Sequence, residues 1–159
     1  MQKNSDEKFM KVAIDLAFEG MHENKGGPFG AVVVQNGVIV GRGYNRVTST
    51  NDPTAHAEIV AIRDACKQLN TFELSDCVIY TTCEPCPMCL AAIYWSHVNK
   101  IFYGSTKVDA ANINFDDSFI YDEIMKNNSD RKLNMKQISR DETIELFNEW
   151  QNKTDRISY

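Results

Sequence analysis

The sequence lacks several features that mark special classes of protein. Its longest unbroken apolar run, residues 88–95, has 8 residues, whereas a helix that spans a bilayer needs about 20. Glycine and proline are scarce, with 8 and 4 residues among 159, which excludes collagen-like and wholly disordered chains. Residues 1–11 contain no apolar stretch of the kind that a secretory signal requires. We therefore expect a globular chain in the cytoplasm, without a membrane partner.

Clusters of basic side chains are also missing. The chain has 17 Lys and Arg against 22 Asp and Glu, which gives a formal net charge of -5. An acidic protein repels the phosphate backbone of nucleic acids at long range, and no run of Lys and Arg offsets that repulsion. The sequence therefore predicts no nucleic-acid partner, and a small uncharged or basic ligand is the better expectation.

A disulfide framework is not expected either. The chain has 5 cysteines, which is an odd count, and three of them, Cys83, Cys86 and Cys89, follow one another at three-residue intervals. Such crowding, without a secretory signal, favours metal binding or catalysis over structural disulfides.

Apolar periodicity changes from segment to segment in the manner of α/β folds. It predicts helices that begin at Ser5, run from Asp52-Pro53 to about Leu69 and from Pro87 to about Trp95, lie near Ile120, and follow a capping box of Ser139 and Glu142. The predicted strands are residues 31–34 and 38–40, joined at the hairpin signal Asn36-Gly37, then 77–82, 100–103 and a fifth around 135–138. The expected fold class is α/β, a three-layer α/β/α sandwich around a mixed five-stranded sheet, as one domain over residues 1–159.

Two short motifs carry the chemistry. They are His56-Ala57-Glu58 and Pro85-Cys86-Pro87-Met88-Cys89, and H-x-E followed by P-C-x-x-C is the signature of the zinc deaminases that act on nucleobases. Zinc accepts imidazole and thiolate ligands, and two cysteines three residues apart in a first helical turn can face one ion. His56, Cys86 and Cys89 are therefore candidate ligands of a Zn²⁺ whose fourth position is left to water.

Glu58 is the candidate catalytic residue. It stands two residues from His56, so the two side chains leave the helix on different faces, and its carboxylate is available to move protons between water, a ring nitrogen and departing ammonia. One alternative is a closed structural site in which Cys83 becomes the fourth ligand. Taken alone, His56 is as well explained as a capping or core histidine, and Glu58 as a solvated acid in a first helical turn.

Four stretches resemble a known family. They are residues 26–31 (GGPFGA), 51–58 (NDPTAHAE), 83–89 (CEPCPMC, continuing to IYW at 93–95) and 115–121 (FDDSFIY). In these stretches the chain resembles the bacterial guanine deaminases of the cytidine deaminase-like superfamily. The first three occur among several base and nucleoside deaminases, so the fourth stretch and the C-terminal Tyr159 are what indicate guanine.

The resemblance implies an enzyme with one Zn²⁺ per subunit that hydrolyses guanine to xanthine and ammonia. It implies zinc on His56, Cys86 and Cys89, proton transfer by Glu58, and Cys83 outside the ligand set. The same chemistry on guanosine, cytosine or another aminated heterocycle stays open as the alternative. Editing of tRNA adenosine is disfavoured by the acidic charge.

The resemblance also implies the substrate contacts. They are the backbone amide of Ala57, hydrogen bonds from the purine to Asn45 and Asp117, pocket walls formed by Phe29 and Trp95, and closure of the site by Tyr159. In this family the C-terminal segment, about residues 140–159, is exchanged within a homodimer, so that Tyr159 reaches the partner's site.

Each of these contacts has an ordinary structural alternative. Asn45 follows a strand and could serve a turn, while Asp117 could cap the helix that begins near Ser118. Phe29 and Trp95 are by default core aromatics, and a terminal tyrosine ordinarily belongs to a frayed tail.

Overall fold

Two valine-rich strands form the hairpin that the sequence predicted. The strands are β1 (Gly30–Gln35) and β2 (Val38–Tyr44), which pair antiparallel. Asn36 and Gly37 between them have φ values of 50° and 77°, as a two-residue turn with left-handed backbone at both positions requires. The hairpin is therefore confirmed.

The computed structural model describes residues 2–159, with side chains from residue 5 onward.

Two further strands complete a mixed sheet of four strands. β3 (Cys77–Cys83) pairs antiparallel with β1, and β4 (Lys100–Ser105) pairs parallel with β3, which gives the order β2-β1-β3-β4. A parallel pair needs a crossover connection, and α4 (Pro87–Trp95) provides it between β3 and β4. The helix predicted from Pro87 to Trp95 is confirmed.

Helices cover both faces of this sheet. On one face α1 (Gln2–His22) packs Phe9, Met10 and Leu16 against Val32 and Val34 of β1. On the other face α3 (Ala57–Leu69) and α4 pack against the alternate residues of the same strand. Because successive side chains of a strand point to opposite faces, the apolar residues 31–34 of β1 contribute to both layers. The three-layer α/β/α arrangement is thus present.

The remaining elements are short or lie toward the C-terminus. They are α2 (Val47–Thr50), α5 (Lys107–Ala111), α6 (Ser118–Met125), a 3₁₀ turn (Asn128–Asp130) and α7 (Arg140–Asn152). The chain divides into an N-terminal unit that ends at Asp117 and a C-terminal unit, Ser118–Tyr159. Among the described residues no helix is both long and apolar enough to cross a bilayer.

The predicted fifth strand is wrong, because the sheet has four strands. Residues 133–138, which contain Met135 and Ile138, have no regular secondary structure. A strand forms only where a neighbour satisfies its backbone hydrogen bonds, and the residue types of a short segment do not supply that neighbour.

Two predicted helix starts and one predicted capping bond also differ. α1 already includes Ser5, so Ser5 is not its cap. Asp52 accepts hydrogen bonds from the backbone N–H and hydroxyl of Thr54 in a tight turn, and the helix begins only at Ala57. Ser139 precedes α7 with φ of 48° and makes no side-chain capping bond. Asp and Ser stabilise turns and helix caps by the same short-range hydrogen bonds, so their presence did not distinguish the two.

Two glycines of β2 allow α3 to lie directly on the sheet. A Cβ on Gly43 would come within 2.3 Å of the carbonyl oxygen of Ala57, and one on Gly41 within 2.3 Å of that of Ala61. Gly37, at the hairpin turn, has no atom within 4 Å of the corresponding position. The close approach at Gly43 fixes the first turn of α3 against the strand.

Gly43→Ala is expected to lower the free energy of unfolding by about 3 kcal/mol, since the methyl group overpacks a backbone contact. Gly37→Ala is the matched control, which incurs only the strain of a left-handed alanine, about 1 kcal/mol. Urea unfolding of the two variants and the parent measures both effects. Equal losses in the two variants would contradict the packing argument.

Candidate metal centre

Two helices begin beside each other at the site. His56 is the N-cap residue of α3, with extended backbone (φ −67°, ψ 157°), and Cys86 is the N-cap residue of α4 (φ −64°, ψ 167°). Pro87 occupies the first helical position of α4, which suits its fixed φ and its missing N–H. The side chain of His56 makes no capping hydrogen bond, so its imidazole is available to a ligand.

His56, Cys86 and Cys89 form a compact triad of ligand atoms. Nδ1 of His56 lies 3.5 Å from Sγ of Cys86 and 3.5 Å from Sγ of Cys89, and the three ligand atoms all lie within 4.8 Å of one another. In a tetrahedral zinc site with Zn–S of about 2.3 Å and Zn–N of about 2.05 Å, nitrogen and sulfur are about 3.6 Å apart. The spacing and the donor types therefore fit one Zn²⁺.

The three side chains shift one another's pKa. The hydrogen bond from the thiol of Cys89 lowers the pKa of Cys86 to about 4, and the same contact raises the pKa of Cys89. The hydrogen bond to Cys86 raises the pKa of His56. Since zinc binds thiolate and neutral imidazole, binding of the metal must release protons from this triad.

Glu58 lies in the first turn of α3, two residues after the histidine ligand. Its side chain is only 6% exposed, and burial raises the pKa of its carboxyl group. Glu58 lines the same cavity as His56 and Cys86. A buried carboxyl group beside candidate metal ligands can both accept and return a proton.

Cys83 is turned to a different partner. Its Sγ donates to the backbone carbonyl of Thr106 at 3.6 Å, and burial raises the pKa of its thiol to about 11. Among the described residues the cluster able to hold a metal contains His56, Cys86 and Cys89 but not Cys83. The closed four-ligand alternative is therefore not formed.

A cavity of about 430 Å³ opens beside the triad. Phe29, Asn45 and Asp117, which the family resemblance implies as substrate contacts, all line it. Oδ1 of Asn45 accepts from the backbone N–H groups of Gly27 and Val47, both at 3.2 Å, which leaves the amide NH₂ as a donor. Burial raises the pKa of Asp117. The cavity thus offers a donor, an acceptor and an aromatic wall.

The other three residues that were predicted to contact the substrate do not line the cavity. Ala57 is fully buried as the first residue of α3, between His56 and Glu58, which line the cavity. Trp95 ends α4, is 66% exposed and is not among the lining residues. Tyr159 is 75% exposed in the C-terminal unit. Their roles stay predictions.

Sequence reasoning missed part of the cavity wall. Lys107 and Ala110 of α5, together with Asn114 and Phe115, line the cavity, and the ring of Phe115 meets Phe29 edge-on at 5.0 Å. The signal that could have located α5 is its capping box, in which Thr106 and Asp109 bond each other's backbone N–H groups. Glu84 also lines the cavity, although the motif at residues 83–89 predicted no role for it.

Comparison with known proteins extends the similarity beyond the metal motif. Residues 3–105 match the family described as the cytidine and deoxycytidylate deaminase zinc-binding region. The chain is 50% identical over 153 residues to guanine deaminase from Bacillus subtilis, which covers 96% of this chain and 98% of that protein. An X-ray structure of that guanine deaminase matches with a TM-score of 0.93, again at 50% identity and 96% and 98% coverage.

More distant relatives share a smaller part of the chain. A tRNA-specific adenosine deaminase from Bacillus subtilis is 44% identical over 101 residues, 63% of this chain and 62% of that protein. A solved structure of guanine deaminase from Nitrosomonas europaea matches with a TM-score of 0.66 at 33% identity, covering 69% of this chain and 63% of the other. The metal-binding region is therefore common to relatives with different substrates.

Cys83→Ser is expected to retain one zinc per chain, whereas Cys89→Ser is expected to lose the metal, because only the second change removes a ligand. Metal content after exhaustive dialysis measures this. Cys66→Ser, at a half-buried thiol outside the triad, is the control for loss of a thiol. Zinc loss from Cys83→Ser would restore the closed-site interpretation.

Proposed function

Because the chain belongs to the zinc-binding family of cytidine and deoxycytidylate deaminases, we propose that it is a guanine deaminase, which hydrolyses guanine to xanthine and ammonia. The metal motif alone does not choose the substrate, since tRNA-specific adenosine deaminases share that region. The observation that carries the choice is 50% identity to a guanine deaminase over 96% of the chain. That similarity includes the C-terminal part, which lies outside the shared zinc-binding region.

His56, Cys86 and Cys89 would hold the metal, and a bound Zn²⁺ would lower the pKa of water to roughly 7, which would supply a nucleophile at neutral pH. In the reaction a C–O bond forms at C2 of guanine and the C2–N bond to the amino group breaks. Glu58 takes a proton from the attacking water and gives it to N3, the ring nitrogen next to C2 that carries no hydrogen. A second transfer through the same carboxylate protonates the departing amine as ammonia.

The cavity residues would orient the base. The ring of Phe29, braced edge-on by Phe115, provides an apolar wall for a flat heterocycle. Asp117 accepts from N–H groups of the purine, and the amide NH₂ of Asn45 donates to a ring acceptor. The backbone N–H of Ala57 lies at the N-terminus of α3. The partial positive charge at this end of the helix stabilises negative charge that develops on the substrate during the reaction.

We also propose that the whole chain, residues 1–159, works as one deaminase domain within a homodimer that exchanges the segment of about residues 140–159. In support, none of the residues 118–159 is buried. Leu146, Phe147 and Trp150 of α7 are 63%, 67% and 47% exposed. A short helix that buries no apolar face has little stability of its own, so a second copy is the expected cover. In this arrangement Tyr159 reaches the partner's site.

The expected compartment is the cytoplasm. All five cysteines are free thiols, and a reducing environment preserves the thiolates that the metal needs.

Glu58→Ala is expected to keep its zinc and to lose turnover of guanine by roughly 10²- to 10⁴-fold, the range that general acid-base groups supply. Xanthine formation by the zinc-loaded proteins measures it. Glu19→Ala, at an exposed position of α1, is the matched control and should retain full activity. A fully active Glu58→Ala protein would refute the assigned role.

The substrate is tested by assaying the zinc-loaded parent on guanine, guanosine and cytosine. Guanine is expected to give the highest kcat/KM, because the similarity to a guanine deaminase extends beyond the shared zinc-binding region. Absence of xanthine, with turnover of another amine, would replace guanine by that substrate.

Mixing two impaired proteins tests the exchange of the C-terminal segment. Glu58→Ala and Tyr159→Ala homodimers are each expected to be impaired, but a mixed dimer holds one site with an intact Glu58 and the partner's intact Tyr159. After unfolding and refolding together, we expect activity well above the sum of the separately refolded proteins. If Tyr159 serves its own subunit, mixing recovers nothing.

A further inference from the structure

Glu84 stands between two parts of the cavity wall. It follows β3 directly and lies two residues before the ligand Cys86. Its backbone N–H donates to the carbonyl of Ser105 at 2.8 Å, which continues the parallel pairing of β3 with β4 past the Cys83 and Ser105 pair. The loop that carries the metal ligands is thereby tied to the end of β4.

The side chain of Glu84 makes a second hydrogen bond across the cavity wall, and the two bonds together are called the tie between the metal-ligand loop and α5. Its Oε2 accepts from the backbone N–H of Lys107, the first residue of α5, at 3.0 Å. That N–H has no partner within the helix, and a carboxylate acceptor makes a stronger bond than a neutral one. The side chain is half-buried and lines the cavity.

The tie continues along the chain to Asp117. The N–H of Asn114 donates to the carbonyl of Ala111 at 3.0 Å, and that of Phe115 to Ala110 at 3.0 Å. The turn after α5 is therefore fastened to the end of that helix. Asp116 and Asp117 follow it and line the cavity. Displacement of α5 would carry these two carboxylates with it.

We propose that Glu84 is a positioning residue, which holds α5 against the metal-ligand loop and so fixes the distance between the metal ligands and Asp117. This inference rests on the proposed function, in which Asp117 binds the purine. Glu84 itself needs no contact with the substrate. A shift of about 1 Å between binding and reacting groups can cost on the order of 10²-fold in rate.

Glu84→Ala and Glu84→Gln separate the hydrogen bond from the charge. Glu84→Ala is expected to lower kcat/KM for guanine about 10- to 100-fold, with zinc content unchanged. Glu84→Gln keeps an acceptor oxygen and should stay within about threefold of the parent. Glu73→Ala, which removes an exposed acid paired with His97, should match the parent. A Gln variant as impaired as the Ala variant would overturn the proposal.

The same bond can be removed from the donor side. Lys107→Pro lacks the backbone N–H, yet proline suits the first position of a helix, and the extended backbone of Thr106 (φ −87°, ψ 166°) is the conformation favoured before proline. Lys107→Ala loses the same side chain and keeps the N–H. Lys107→Pro is expected to be about tenfold or more below Lys107→Ala in kcat/KM. Equal values would overturn the proposal even if Glu84→Ala does not fold.

A double-mutant cycle tests whether Glu84 acts through Asp117. If it does, adding Glu84→Ala to Asp117→Ala lowers kcat/KM by less than about threefold, because the positioned group is already gone. A merely destabilising change would multiply with Asp117→Ala, and full multiplication would overturn the assigned route.

Amide hydrogen exchange gives a reading that does not need turnover. In the zinc-loaded Glu84→Ala protein the amides of residues 107–115 should exchange at least about tenfold faster than in the parent, while α3 is unchanged. If the parent proves inactive on guanine but this difference is present, the proposed function fails and the structural tie stands. If exchange is the same in both proteins, the tie itself is refuted.

Discussion

The meeting of two helix N-termini is the constraint on which this structure depends. A metal site made from His56, Cys86 and Cys89 requires that the first turns of α3 and α4 lie within a few ångströms of each other, although 30 residues separate the first two ligands. Both helices pack on the same face of the sheet, and Gly43 brings the first turn of α3 close to β2. The extended backbone of both N-cap residues then directs an imidazole and a thiol toward one point.

The use of cap residues as ligands has an electrostatic consequence. The positive end of a helix favours thiolate over thiol, and in Cys86 this adds to the hydrogen bonds from Cys89, which lower the pKa of the Cys86 thiol to about 4. Cys83, two residues beyond the pairing of β3 with the antiparallel β1, has a buried thiol whose pKa is raised to about 11. Two cysteines three residues apart thus have opposite chemical character because of where the strand ends and the helix begins.

The two walls of the cavity are held in place by different interactions. The wall that contains the candidate metal ligands rests on the sheet and on α3 and α4, which contribute buried residues such as Ala61, Ala65 and Ile93 to the core. The opposite wall is built from the short helix α5 and the turn after it, which are largely exposed and depend on hydrogen bonds rather than on burial for their position. Beyond Asp117 no residue of the C-terminal unit is buried.

The sequence by itself determined the features that depend on local chemistry. The Asn36-Gly37 turn, the helix that starts at Pro87 and the two short motifs that contain the candidate metal ligands follow from residue types at fixed short spacings. The resemblance of four stretches to guanine deaminases predicted the substrate and its contacts, and three of the residues it named, Phe29, Asn45 and Asp117, line the cavity.

Only the tertiary structure decided features that depend on partners distant in the sequence. The segment around residues 135–138 was predicted as a strand but has no neighbouring strand to pair with. Asp52 was equally suited to a helix cap and to the turn that it forms with Thr54. The bond between Glu84 and Lys107 links residues 23 positions apart, and no spacing rule reports such a contact, because it exists only after β3 and β4 have paired side by side.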